Sequence, residues 1–519
     1  MGAGLRRRVA AGGGQRSHRH PGQAPGGGAA PGRGEELSPA SPVERCQVDL
    51  PVGTAFRLRQ LRWGRTATTR IERFETIHWD TSDFRLAAWD AGLRYRRGRG
   101  WRVTLAGWPE AGCFRSISVD LDGGPAAPPR EALRLLSGYL GDARPEPAAR
   151  LRHLESRRAV EELGCVHQVV SLLVDRRAVA HARRVSLRGG EELTGTRRAL
   201  AALRRLGVVE TTTQPLLTEL VGPAAAPQWR ELQLDPTSTV AATVTAALRD
   251  YSARLVRNQA LLLEGSDPEG IHQARVACRR FRSALQTFGP VLDHAWAEAL
   301  RAELGSLAAD LGAVRDAEVL LMRLRASAAD RGLEPEATER LLGRLEEDRA
   351  RAREGLLRRT GTPEHREQLE RTLEAAAHPG LLPEAADQPA VEVLMPLVAG
   401  SWRKLRRRAT GLGDHPADDE LHRLRILTKR CRYAVLALVP VLGEGPARTG
   451  ALLGALQDAL GDQHDAVVAG DWLRQFAAGE TAFAAGILYG VERERAEAGR
   501  EAWRVPWAKL RRRKQWGWA

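Results

Sequence analysis

The sequence contains few cysteines, only five among 519 residues. They are Cys46, Cys113, Cys165, Cys278 and Cys431. Because their number is odd, their spacing is wide and none forms a Cys-x-x-Cys pair, a disulfide framework and a zinc site are both disfavoured. This use of cysteine is typical of a reducing cytosol, so we expect a cytoplasmic protein.

Long apolar runs are also missing. No stretch of 18 consecutive apolar residues occurs, so the sequence predicts no membrane-spanning helix. The arginines at 6–8 are not followed by an apolar run, and a secretory signal is therefore not expected either.

Acidic residues are in deficit, with 64 Asp and Glu against 79 Lys and Arg, a formal net charge of +15. Such a balance predicts a polyanionic partner, for example nucleic acid, polyphosphate or a membrane surface. The alternative is a genome that favours arginine, and the patterning of the charge decides between the two.

The chain is long enough for two or more domains, and its character changes near residue 230. Residues 1–41 predict a disordered basic tail rich in Gly, Pro and Arg. Residues 42–225 are mixed, with strands dominant, and 226–237 predict a linker. Residues 238–508 are rich in Ala, Leu, Arg and Glu at helical spacing, and 509–519 predict a solvated basic tail. The expected fold class is multidomain α+β with an all-α second domain.

Short alternating runs bounded by Gly, Pro, Asp or Ser predict strands in the first domain. They lie at 70–79, 93–97, 101–105, 114–121 and 166–175. A further segment, 196–206, predicts an amphipathic helix that ends before Gly207.

Two segments of the second domain match each other. Residues 271–282 and 421–432 both follow His-x-x-Arg-x-x-x-(Arg/Lys)-Arg-x-Arg. A second pair, 311–316 and 460–465, follows at nearly the same offset. Two matched pairs in the same order predict a duplicated helical unit.

The spacing of the matched cations places them on one helical face, beside an apolar face that begins one residue earlier. The candidate polyanion-binding residues are His272, Arg275, Arg279, Arg280 and Arg282 in the first copy, and His422, Arg425, Lys429, Arg430 and Arg432 in the second. One residue is about 100° of helix rotation, so the basic face should border the buried one.

Neither basic stretch contains an acidic residue, so a negatively charged ligand would stabilise its row of positive charges. Two cations about 6 Å apart repel by roughly 3 kcal/mol at an effective dielectric constant near 20. Phosphate supplies such a negative charge, and two facing basic faces would form a channel for polyphosphate. The alternatives are a solvated basic face, or arginines paired internally with Asp316 and Asp465. We expect these two aspartates to orient arginines rather than to contact ligand.

The same segments resemble the CHAD family, the conserved histidine α-helical domain. The resemblance rests on 272–277 with Arg279 and Arg280, on 311–316, and on 422–425, 429–433 and 457–461. It implies two pseudo-symmetric four-helix bundles around a basic cavity that binds polyphosphate.

The first domain is similar to the CYTH family, the triphosphate tunnel fold. The resemblance rests on 78–83, Arg85-Leu86, 92–97 and Gly100-Trp101. It implies an antiparallel β tunnel in which basic residues bind triphosphate and acidic residues hold a divalent metal.

This sequence departs from that family's pattern. Of the opening Glu-x-Glu-x-Lys only Glu44 is left as a candidate metal ligand, Thr104 replaces a lysine, and 184–186 replaces a later Glu-x-Glu. Hard metals need several oxygen ligands, and without these carboxylates metal-assisted hydrolysis is not expected. Mg²⁺ or Mn²⁺ would be required only if the domain is active. The residues expected to grip phosphate in the tunnel are Arg94, Arg96, Arg157 and Arg158. We predict a degenerate triphosphatase that binds phosphate or serves as a scaffold.

The leading hypothesis is therefore a protein that binds inorganic polyphosphate through its helical domain, with no cofactor. One alternative is a metal-dependent triphosphatase acting on triphosphate or a nucleoside triphosphate. The other is a nucleic-acid-binding protein, which is less favoured because base stacking needs exposed aromatics and Phe281 falls on the apolar face, leaving Tyr433. We expect triphosphate-containing small molecules as further candidate partners, and no membrane.

Overall fold

The computed structural model describes residues 43–50, 69–105, 109–110, 113–160, 163–188, 194–205, 216–221, 232–265 and 269–516. The predicted tail at 1–41 and the first half of the predicted linker, 226–231, lie outside these residues. So do the last three residues of the chain.

The first half of the described chain forms strands and short helices. The strands are β1 (Val43–Asp49), β2 (Thr69–Asp80), β3 (Gly92–Arg96), β4 (Gly100–Leu105), β5 (Pro109–Glu110), β6 (Cys113–Leu121), β7 (Glu146–Val160), β8 (Leu163–Val174) and β9 (Arg177–Arg188). The helices among and after them are α1 (Arg85–Ala88), α2 (Arg130–Leu140), α3 (Thr194–Arg204) and α4 (Leu216–Val221).

The strands form one antiparallel sheet in the order β1-β9-β8-β7-β2-β3-β4-β6-β5. Strand β1 pairs with both β9 and β6, so the sheet closes on itself into a barrel. Each strand of the ring β1-β9-β8-β7-β2-β3-β4-β6 therefore has a paired neighbour on both sides. An antiparallel first domain was predicted and is confirmed.

Alternation along β4 separates a buried apolar face from the opposite face of the sheet. On β4, Trp101, Val103 and Leu105 are fully buried and pack with Leu135 and Leu136 of α2. The residues between them belong to the inner face. The helix α2 therefore covers one side of the barrel.

The second half is helical. It consists of α5 (Val240–Glu264), α6 (Glu269–Thr287), α7 (His294–Asp330), α8 (Pro335–Thr360), α9 (Pro363–Ala377), α10 (Pro383–Ala386), α11 (Ala390–Thr410), α12 (Asp418–Leu436), α13 (Val439–Leu442), α14 (Glu444–Phe476), α15 (Ala482–Ala502) and α16 (Arg504–Leu510). In the described residues no helix is both long enough and apolar enough to cross a membrane.

Local signals start these helices. The side chains of Thr239 and Asp293 accept hydrogen bonds from the backbone N–H groups of Ala242 and Trp296, which caps α5 and α7. Three acidic residues, 418–420, fill the first turn of α12, where the helix dipole favours negative charge.

Helix α5 belongs to two cores. Its residues Val244, Leu248 and Leu255 pack in the main core of the helical half. Its residues Val256 and Leu263 pack with α2 and the outer face of the barrel. All described residues accordingly fall within one compact unit, 40–519.

The C-terminal segment differs from the prediction of a solvated basic tail. Residues 509–516 complete α16 and form a short 3-10 helix ending at Trp516. Leu510 is fully buried, and the Trp516 ring stacks on Trp402 with centroids 4.2 Å apart. Burial of these large apolar side chains outweighs the preference of the neighbouring cations for water.

Candidate functional site

The two matched basic segments lie on α6 and α12. Their apolar faces are buried as predicted: Ile271, Ala274, Cys278, Phe281, Leu285 and Phe288 on α6, and Leu421, Leu424, Thr428, Cys431, Val435 and Leu438 on α12. Burial of these faces fixes the rotation of each helix about its axis. The residues one position later, His272 on α6 and His422 on α12 among them, are partly buried beside the core.

The basic edges of α6 and α12 converge. Lys429 on α12 is partly buried, and its pKa is lowered to about 7, first by burial and then by the charges of Arg425, Arg279 and Arg275. The pKa of Arg425 is lowered by burial too, with Arg279 and Arg275 adding to the effect. Cations from both helices therefore share one cleft, which we call the basic cleft.

Two aspartates on the facing helices lie beside this cleft. Asp316 on α7 accepts hydrogen bonds from Nη1 and Nη2 of Arg275, at 2.7 and 3.4 Å. Asp465 on α14 lies 4.0 Å from Arg425, and burial raises the pKa of this aspartate. Both carboxylates thus lie next to the arginines they were expected to orient, and that role stays a prediction.

The carboxylates do not satisfy all the cations. In the described part of the chain, buried guanidinium Nε atoms without a hydrogen-bond partner belong to Arg279, Arg280, Arg282, Arg425 and Arg432, among others. A buried donor without a partner is unfavourable, so these groups favour an added acceptor.

Histidines lie close to the cations of the cleft. Nδ1 of His422 and Nδ1 of His464 are 3.3 Å apart, and their ring centroids are 4.5 Å apart. Burial lowers the pKa of His464 to about 4, with smaller effects from Arg425, His422 and Lys429. The pKa of His272 is also lowered, mainly by burial and then by nearby arginines including Arg315.

Sequence reasoning did not name Arg315 or His464 as site residues. They occupy the same position of the second matched pair, 311–316 and 460–465. That shared position beside a predicted histidine was the available signal.

Two predicted binding residues lie apart from the converging set. Arg430 is exposed on α12. Arg280 lies close enough to Tyr251 of α5 to affect its pKa, which burial raises to about 12. These positions are one residue, about 100° of rotation, past the basic edge of each helix.

In the barrel, two of the predicted phosphate ligands are paired with carboxylates. Arg96 forms an ion pair with Glu72 and lies 3.7 Å from the ring centroid of Phe74. Arg157 donates hydrogen bonds to Glu155 at 2.6 and 2.9 Å. The acids that neutralise these cations were not identified from the sequence, although alternation along β2 and β7 places them on the polar face.

The remaining barrel candidates are less defined. Arg94 lies near His78 and His153, whose pKa values are lowered by burial first and by Arg94 second. The strand positions of Arg158 and Glu44 are opposite Thr69 and Arg115, respectively, but their side chains lie outside the described part. Among the side chains that are described, no group of three or more His, Cys, Asp or Glu could hold a metal ion.

The described fold and cleft define the C-terminal part as an all-helical domain with a cationic cleft between paired helices. Residues 246–474 match the sequence model of the CHAD domain, and this part of the chain is a CHAD domain. The match begins within α5, so a CYTH domain in the N-terminal half stays a prediction.

The chain is similar to other proteins over half of its length or more. The chain is 28% identical over 490 residues to the uncharacterized protein Rv2226 of Mycobacterium tuberculosis, covering 84% of this chain and 91% of that protein. PptA from Streptomyces chartreusis is similar at 26% identity and a TM-score of 0.45, covering 52% of this chain and 100% of that one. The CHAD domain from the plant Ricinus communis is similar at 27% identity and a TM-score of 0.44, covering 53% and 95%.

Proposed function

We propose that this protein binds inorganic polyphosphate in the basic cleft between α6 and α12. The observation that carries the proposal is the convergence of cations from both helices on Lys429. Burial lowers the pKa of this ammonium first, and three arginines lower it further, which marks a site where positive charge exceeds the available negative charge.

A polyanion relieves this excess. Each charge-assisted hydrogen bond between a guanidinium and a phosphate oxygen contributes about 1.5–3 kcal/mol. A chain of phosphates can contact Arg275 and Arg279 on one side and Arg425 and Lys429 on the other at once. A single phosphate reaches fewer of them, so affinity should increase with chain length.

The CHAD domain supports the same ligand, because its family is associated with polyphosphate binding in general. We further propose that α6–α7 and α12–α14 are copies of one unit, the basis of two pseudo-symmetric bundles. Support comes from the matched segments and from matched contacts: Arg282 lies over Gly305 as Arg432 lies over Gly454.

For the barrel we propose a scaffold role with impaired catalysis. Arg96 and Arg157 are already engaged by Glu72 and Glu155, so their charge is largely neutralised. A triphosphate would have to displace those carboxylates, which lowers the free energy available for its binding.

Nucleic acid is the less favoured polyanion. Phe281 and Tyr433, the aromatic residues within or beside the two matched segments, are both buried. Bases would therefore find phosphate contacts here but no aromatic platform from these two residues.

The test is equilibrium binding of the full chain to long-chain polyphosphate at moderate salt, with single-stranded and duplex DNA as competitors at equal phosphate concentration. We expect polyphosphate to displace DNA, and DNA not to displace polyphosphate. Arg279→Gln with Lys429→Gln should weaken binding, whereas Arg423→Gln, at an exposed position of α12, should not. Retention of full affinity by the double variant would exclude the basic cleft.

A further inference from the structure

Helical glycines lie directly beneath arginines on the basic edges of α6 and α12. A Cβ placed on Gly305 of α7 would lie 3.5 Å from Cζ of Arg282, and one on Gly454 of α14 would lie 3.3 Å from Cζ of Arg432. Both guanidinium groups therefore pack against bare helix backbone. The same contact occurs in each half of the helical domain.

A second pair repeats the arrangement seven residues, or two helical turns, further along. A Cβ on Gly312 would lie 3.8 Å from Nε of Arg275, and one on Gly461 would lie 3.9 Å from Nε of Arg425. Four arginines on the basic edges of α6 and α12 thus lie over glycines of α7 and α14. We call these contacts the arginine–glycine pairs.

Glycine is unfavourable in the middle of a helix relative to alanine, because it loses more conformational freedom on folding. All four glycines lie inside the long helices α7 and α14, and none has the positive φ that would require glycine. The backbone conformation therefore does not explain these residues. The arginine side chains lie over all four positions, 3.3 Å from an added Cβ at Gly454 and at the ordinary contact distances of 3.5–3.9 Å at the other three.

Three of these arginines make no hydrogen bond through the buried Nε atom of the guanidinium in the described part of the chain. They are Arg282, Arg425 and Arg432. Arg432 reaches Gln457 only at 3.4 Å. Packing against the glycine is thus a main determinant of where each guanidinium lies.

We propose that Gly305, Gly312, Gly454 and Gly461 are positioning residues that set the position and direction of the arginines lying over them. This inference rests on the proposed binding of polyphosphate in the basic cleft. At Gly454 a methyl group would lie 3.3 Å from Cζ of Arg432, so the guanidinium must move by a few tenths of an ångström. At the other three positions, where the distance is 3.5–3.9 Å, only a side chain larger than that of alanine displaces the guanidinium. Either displacement weakens binding of the polyanion without removing a charge. Affinity here depends on residues that never touch the ligand.

The experiment compares Gly454→Ala and Gly454→Leu with wild type in the full chain. Binding of long-chain polyphosphate is measured against salt concentration, and stability by urea unfolding. We expect Gly454→Ala to keep or raise stability while weakening binding several-fold, and Gly454→Leu to weaken binding about tenfold. The slope of log affinity against log salt should fall by about 0.7 for each phosphate that the displaced arginine no longer neutralises.

Matched controls are Gly343→Ala in α8 and Gly490→Ala in α15, two helical glycines with no neighbouring atom within 4 Å of an added Cβ. Both should raise stability and leave affinity and salt slope unchanged. A purely structural role for glycine would make Gly454→Ala behave in the same way.

A double variant separates the mechanism from other effects. If Gly454 acts through Arg432, then adding Gly454→Leu to Arg432→Gln weakens binding no further, whereas independent effects would add. Additive reductions in affinity, or wild-type affinity and slope in folded Gly454→Leu and Gly305→Leu, would overturn the inference. Failure of wild type to bind polyphosphate would instead overturn the proposed function itself.

Discussion

Arg275 on α6 donates a hydrogen bond from Nη1 to Oδ1 of Asp316 on α7 at 2.7 Å. The counterpart pair on α12 and α14, Arg425 and Asp465, is 4.0 Å apart. The α6 side of the basic cleft is therefore partly neutralised by its own carboxylate, and the α12 side less so. Lys429 lies on this less neutralised side, where a ligand's charge should matter most.

The first prediction concerns pH. Burial and three arginines lower the pKa of Lys429 to about 7, so the ammonium is charged below that pH and neutral above it. A polyanion binds the charged form, and affinity for polyphosphate should rise about tenfold as pH falls from 8 to 6. The lowered pKa values of His272 and His422 keep these imidazoles neutral over most of that range.

Polyphosphate affinity measured as a function of pH at fixed ionic strength tests this prediction, and Lys429→Arg is the diagnostic variant. Its guanidinium stays charged, so binding should be tight and nearly independent of pH. Lys404→Arg, at an exposed position of α11, should keep the wild-type pH dependence. A flat wild-type profile would contradict the assignment.

The second prediction separates stability from binding. In the described chain no carboxylate lies within ion-pair distance of Arg279, which faces Arg425 and Lys429 instead. Arg279→Gln removes repulsion, so the free energy of unfolding should rise by about 0.5 kcal/mol while polyphosphate affinity falls about tenfold. The midpoint of the Lys429 titration should also move to higher pH.

Urea unfolding and binding isotherms on the same preparation measure both effects. Arg423→Gln, which removes an exposed cation near Asp419, is the matched control and should change neither by much. If Arg279→Gln reduced stability and affinity together, Arg279 would be structural.

The third prediction is a decrease of stability in acid through buried neutral histidines. Burial lowers the pKa of His153 to about 3 and those of His167 and His365 to about 4. The unfolded chain takes up these protons near pH 6.5 and the folded chain does not, so stability falls as pH decreases from about 6.5 toward 4.

Urea midpoints between pH 5 and 7.5 give the slope. His153→Asn should reduce it by up to about 1.4 kcal/mol per pH unit, the contribution of one proton. His378→Asn, at an exposed site, should leave the wild-type slope. An unchanged slope in His153→Asn would show that this ring titrates alike in both states.

The fourth prediction is negative for catalysis. With tripolyphosphate and added Mg²⁺ or Mn²⁺, the full chain should release no phosphate above the protein-free blank. The reason is that Arg96 and Arg157 are occupied by Glu72 and Glu155. Metal-dependent release that disappears in Glu155→Gln would reveal a working site built on these acids instead.

The basic cleft could be anticipated because a helix repeats regularly. The spacing of Ile271, Ala274, Cys278 and Phe281 predicts a buried face, and one residue of rotation places the cations at its edge. A second copy at constant offset made the pairing of two such helices foreseeable. What spacing does not give is the distance across the cleft or which cations carry a carboxylate.

The barrel was less predictable. Strands β7 and β9 were not predicted from the sequence. Their inner faces carry charged residues such as Glu155 and Arg184, and charged residues are typical of loops and exposed surfaces. Burial of Glu155 and Arg184, each about 3% exposed, depends on partners from neighbouring strands that only the closed sheet brings together. Trp516 was misread for the same reason, since its partner Trp402 lies far away in sequence.

Helix α5 has one flank in each core, with Leu248 toward the helical bundle and Val256 toward the barrel. Removing either half of the chain would expose the side of α5 that packs against it. This exposed apolar surface would favour self-association. The two halves therefore share helix α5 as a common packing element. A ligand that reduces the mobility of the helical half should also reduce the mobility of the barrel strands that pack against α5.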